Sequence, residues 1–116
     1  MTIAIKPQEF IKLKSRSGQH SLFISFSDHA TSRMKEREVQ SIEVIASLCV
    51  HSDKLITSEL EEELVFLDTD RNLSIVLSVS KTDKAVYYLN IITVLDFIPV
   101  DETGSPKFNV NQVVYS

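Results

Sequence analysis

The sequence predicts an α+β fold in which two or three helices pack on one face of a three- to five-stranded antiparallel sheet. Three observations carry this expectation. Residues 27–37 have the cap and the spacing of a helix, and the apolar run 42–50 follows as a second one. From residue 64 to 95, β-type segments alternate with short polar turns, the pattern of an antiparallel meander. With 116 residues, 43% hydrophobic and only 2 Gly, the chain is sized for one domain around one core. Helices and a sheet each have one apolar face to bury, so two stacked layers are the economical arrangement.

Each element has a local reason. Residues 7–14 are expected to form a short N-terminal helix, because Pro7 suits a first helical position and Glu9 lies near the start. Lys14 and Arg16 then sit near its end, and Gly18 can terminate it. Residues 21–26 alternate as a strand. Ser27 is the expected N-cap of a helix over 28–38, with Asp28 at the positive end of its dipole. A break at 39–41 precedes the second helix, for which Ser41 is the expected cap and Glu43 stands in the first turn. Residues 54–57 read as a short strand or connector, and 59–63 as an acidic turn. Strands are expected over 64–67, 73–80 and 85–95, with turns at 69–72 and 81–84. The last of these is apolar on both faces, which argues for a central or doubly covered place. Residues 99–106 read as a loop, and 108–115 as a final edge strand or a segment completed by a partner.

Charge is unevenly placed. The net charge is −4, yet residues 1–37 hold seven Lys/Arg against three Asp/Glu, while residues 38–116 hold five against thirteen. A basic first third can meet phosphate, and an acidic remainder repels it. No apolar run nears the roughly 20 residues of a membrane span, and residues 1–7 lack a signal peptide's apolar core. With one cysteine, Cys49, no internal disulfide can form. The expectation is a soluble, cytoplasmic protein without a membrane role.

The stretch 27–37 concentrates the polar chemistry. His29, Arg33 and Arg37 recur every four residues and climb one side of the helix. Ser27-x-His29-Ala30-x-x-Arg33-Met34-x-x-Arg37, followed by Val39, Ile42, Val44 and Leu48, resembles a short bacterial and phage domain grouped with the BrnT and RelE-like toxins. The resemblance covers residues 22–95 as a core, leaving 1–20 as an N-terminal helical extension and 97–116 as a C-terminal one. It implies a toxin-like fold and, by analogy, metal-independent RNA cleavage without a cofactor. In that reading His29 is the proton-transfer group, Arg33 holds the phosphate, and Tyr87 or Tyr88, with Tyr88 the candidate taken, is a further polar catalytic residue. Lys12, Lys14, Arg16 and Arg37 are the matching RNA-binding candidates.

The same residues admit a structural reading. Seven residues is nearly two turns, so Arg37 falls about 20° from Ala30 on the helical wheel. An arginine there belongs largely to the apolar stripe, where it would tie helix to sheet through a buried carboxylate or free carbonyls. The alternative function is a non-catalytic binding protein on the same fold, such as an antitoxin-like, immunity or phage inhibitor. Its Glu59, Glu61, Glu62 and Glu63 would meet a basic protein partner. Cys49-x-His51 lacks the paired spacing of a zinc site, and no metal is expected.

Overall fold

The computed structural model describes residues 10–57, 62–110 and 112–116 and, of Asp83, the backbone. The elements run β1 (Ile11–Lys14), β2 (Ser21–Phe26), α1 (Asp28–Glu36), α2 (Ser41–Val50), α3 (Ser52–Ile56), β3 (Glu63–Asp68), β4 (Leu73–Asp83), β5 (Val86–Leu95) and β6 (Gln112–Tyr115). They build one six-stranded sheet in the order β1-β2-β5-β4-β3-β6. β3, β4 and β5 form the antiparallel meander, and β1 is antiparallel to β2. β2 pairs β5 in parallel, as β6 does β3. The sheet is therefore six-stranded and mixed, which corrects the expected three- to five-stranded antiparallel one. Both parallel contacts join segments far apart in sequence, and no turn between them announces the pairing.

β1 also corrects the N-terminal helix over its described part; residues 7–9 lie outside the described residues. Ile11 and Leu13 point to the core while Lys12 and Lys14 point out, a period of two. Gly18, at φ 78°, turns the chain between β1 and β2 instead of ending a helix. Residues 54–57, expected as a strand or connector, instead belong to α3 and its C-cap Thr57, and α3 is anchored to the β1–β2 turn by Arg16 N donating to Ser52 Oγ at 2.8 Å.

The helices cover one face of the sheet. Ala30 and Met34 of α1, Val44 and Leu48 of α2, and Leu55 of α3 pack on Leu22, Ile24, Phe66, Ile75, Leu77, Leu89 and Ile91. Ser27 caps α1 as expected: its Oγ accepts from Ala30 N at 3.0 Å and donates to the Ile92 carbonyl at 2.9 Å. α2 starts one residue earlier than read. Its N-cap is Gln40, whose backbone N–H donates to Glu43 Oε2 at 2.8 Å.

The opposite face divides into two halves. Over β3 and β4, Val65, Leu67 and Val76 are buried beneath Ile98, Phe108 and Val110 of the segment that carries the chain from β5 to β6. Ile92 joins that cluster, because the register steps past it between Val76–Thr93 and Leu77–Ile91. Over β1, β2 and β5 no such cover is present among the described residues. This uncovered half positions the candidate site.

Candidate functional site

The ladder of α1 does not assemble a centre with Tyr88. Arg37 donates from Nη1 to the Val94 carbonyl at 2.8 Å, tying the end of α1 to β5. Arg33 pairs with Glu36 at 2.8 Å on the helix surface, and His29 is exposed. All three belong to the helix layer. Tyr88 alternates with the core residues Tyr87 and Leu89 and stands on the far side of the sheet. The sheet thus separates His29 and Arg33 from Tyr88.

The far side instead brings Tyr88 together with two residues of the basic cluster. Phe23 lies opposite Tyr88 in the parallel β2–β5 register, and their rings stack at 5.1 Å and 20°. Phe10 meets both edge-on, at 6.4 Å from Phe23 and 5.5 Å from Tyr88. Lys12, opposite Phe23 on β1, holds its Nζ 5.8 Å from that ring's centroid. Lys14 Nζ reaches Ser21 Oγ at 3.2 Å. Lysine, Phe23 and Tyr88 therefore form one row across three neighbouring strands.

Beside this row lies a solvent-open cavity of about 420 Å³, lined by Phe10, Ser25, Ser80, Thr82, Tyr88 and Asn90. Ser25 Oγ donates to Asn90 Oδ1 at 3.2 Å, which leaves the Asn90 amide hydrogens for a ligand oxygen. Two aromatic rings, one amide and the hydroxyls of Ser25, Ser80, Thr82 and Tyr88 thus line a concave, uncharged surface with lysines along its β1 side.

The remaining candidates fall elsewhere. Arg16 sits in the β1–β2 turn. Glu59 and Glu61 lie outside the described residues, while Glu62 and Glu63 are exposed at the start of β3. Glu63 faces Ser78, which faces Asn90, so this carboxylate marks the sheet side remote from the lysines. A second hollow, of about 640 Å³, opens along Val100–Thr103 and Lys107. There Asp101 Oδ1 accepts from Thr103 N, Thr103 Oγ1 and Ser105 N, bonds that close a turn. Those hydrogen bonds, the Thr103 hydroxyl first, hold the Asp101 carboxyl below its ordinary pKa.

Asp68 is the buried carboxylate among the described residues, and it too is occupied. Its Oδ2 accepts from Ser47 Oγ at 2.6 Å and Arg71 Nη1 at 3.0 Å, and its Oδ1 from the N–H groups of Asp70 and Arg71. Burial pushes this carboxyl up, but the bonds from Ser47 and Arg71 together with the Arg71 charge outweigh it and leave the pKa below the usual aspartate value. Among the described residues no three His, Cys, Asp or Glu side chains stand together as a metal site.

No family model, curated protein or solved structure matches the chain. The resemblance to BrnT and RelE-like toxins is thereby overturned, together with the toxin, the ribonuclease and the inhibitor on the same fold that it implied. The sheet also departs from that architecture in strand number and direction. The motif has a local explanation: Ser27 caps, Ala30 and Met34 are buried, and Arg37 bonds the sheet. A helix that docks on a strand by these means calls for the same residue types.

Sequence reasoning missed Phe10, Phe23, Ser25, Ser80 and Thr82. The signal was present as Phe10-x-Lys12-x-Lys14 and Ser21-x-Phe23-x-Ser25, the polar and aromatic positions of two alternating strands. Reading residues 7–14 as a helix scattered the first set around a wheel.

Proposed function

We propose that this chain is a binding module whose recognition surface is the uncovered half of the second sheet face, and that the cavity beside Tyr88 takes a flat, hydrogen-bonding ring of the nucleobase type. The observation that carries the reading is the Tyr88 ring standing, with Phe10 beside it, as one wall of an open cavity whose other walls are the hydroxyls of Ser25, Ser80 and Thr82 and the Asn90 amide. An aromatic face attracts a planar heterocycle by stacking, and the Asn90 N–H groups supply a donor for a ring carbonyl. Concave sites that combine apolar walls with a few convergent polar groups are where small ligands bind. No helix among the described residues is long and apolar enough to cross a membrane. A cytoplasmic location is part of this proposal.

Titration of the 15N-labelled full chain with uridine, cytidine and adenosine tests this reading by NMR. Shifts are expected at Ser25, Ser80, Thr82, Tyr88 and Asn90, and Tyr88→Ala should abolish them while the remaining spectrum stays folded. Shifts confined to α1, or none up to millimolar nucleoside, would rule the cavity out.

A further inference from the structure

The geometry points to single-stranded RNA as the ligand of this face, with one base against Tyr88 and the neighbouring phosphates on Lys12 and Lys14. The inference rests on the base-binding reading above and extends it from a ring to a polymer.

Three features of the face support it. The first is the row of aromatic rings. Phe23 stacks on one face of Tyr88 and Phe10 braces it edge-on, so the Tyr88 ring is held against the cavity, where an unpaired base can stack on it, whereas the bases of a duplex are already stacked on each other. The second is charge polarity. Lys12 and Lys14 flank the rings at the β1 side, and Glu63 lies at the opposite end of the cavity row. Strands are about 4.8 Å apart, so Lys12 stands two strands, or roughly 10 Å, from Tyr88. That distance suits a ligand extended over more than one nucleotide, with its phosphates kept away from the acidic side. The net charge of −4 does not oppose this, because salt screens distant charges beyond about 10 Å and local lysines set the potential at the face. The third is the hydroxyl content of the lining. Ser25, Ser80, Thr82 and the Asn90 amide offer donors and acceptors to a ribose 2′-hydroxyl, which DNA lacks.

The test is fluorescence anisotropy of fluorescein-labelled U12 with the full chain, in parallel with dT12, a 12-base-pair RNA duplex and unlabelled polyglutamate as competitor. U12 is expected to bind at least tenfold more tightly than uridine, and more tightly than dT12 or the duplex. Its affinity should fall with salt by a log–log slope of about 1.4, for two phosphates neutralised on a single strand. Lys12→Glu with Lys14→Glu should flatten that slope, whereas Lys107→Glu, on the tail, should leave binding within twofold. Tyr88→Ala should weaken U12 about tenfold, and Tyr88→Phe, which keeps the ring, should bind within twofold of the parent. Both variants are checked for the parent's spectrum. If nucleosides bind in the cavity but U12 binds no more tightly and without salt dependence, the RNA assignment is overturned and the base-binding reading stands. Equal binding of dT12 would also overturn it, and displacement by polyglutamate at matched charge would assign the face to an acidic protein. Failure of both nucleosides and U12 would remove both readings.

Discussion

Arg37 and Asp68 carry charges into partly or fully buried places, and each is matched by nearby hydrogen-bonding groups. Arg37 offers its guanidinium to the Val94 carbonyl, and Asp68 gathers bonds from Ser47, Arg71 and the turn after β3. A buried carboxylate left short of partners costs about 1–3 kcal/mol per missing bond, so these contacts hold α2 and the β3–β4 turn in register. The sign of the pH dependence follows from the depressed pKa of Asp68. Below the unfolded-state value of about 3.9 the unfolded chain takes up a proton that the folded one resists. The stabilisation is thus complete above that pH and is lost as pH falls through the folded pKa. Acid titration followed by circular dichroism should show Asp68→Asn less stable than the parent at pH 7, with the gap closing as pH falls below the unfolded-state value of about 3.9. A gap independent of pH would mean that Asp68 contributes shape and not charge.

Ser27 governs an element rather than a site. It caps α1 and binds the Ile92 carbonyl, so one hydroxyl fixes both the start of the helix and its seat on β5. Ser27→Ala should lower unfolding free energy by about 1–2 kcal/mol in urea denaturation. A change below about 0.3 kcal/mol would mean that the cap is replaceable by water. At this scale the sequence was most informative. β2, α1, α2 and the β3–β4–β5 meander were legible because caps, alternation and turn residues act within a few positions of each other. β1 was not. Its four residues lie among Pro7, Glu9 and Arg16, which have the charge order of a helix, and the alternation of Ile11 and Leu13 with Lys12 and Lys14 is short enough to be overlooked. α3 failed for the same reason of length, with five residues.

At the scale of the whole molecule, the features that position the candidate site are non-local. The parallel pairing of β2 with β5 sets Phe23 against Tyr88, residues 65 positions apart, and no local signal specifies that contact. Residues 99–106, read as a loop, carry only an isolated bridge between Val100 and Pro106, and the flanking Ile98, Phe108 and Val110 cross the second face and bury Val65, Leu67 and Val76. This segment covers only one half, and among the described residues the other half, with Lys12 and Lys14 at one end and Glu63 at the other, has no such cover. The helical ladder was conspicuous in sequence because its residues lie on one short helix, yet Arg37 ties that helix to the sheet while Arg33 pairs with Glu36 and His29 is exposed. The proposed binding face was inconspicuous because its residues come from four strands and the residue ahead of the first. The most direct measurement is photo-crosslinking of 4-thiouridine RNA to the full chain, with the modified peptides mapped by mass spectrometry. Crosslinks on peptides holding Phe10, Phe23 or Tyr88 are the expected result, and crosslinks confined to the α1 peptide with His29 and Arg33 would contradict the account.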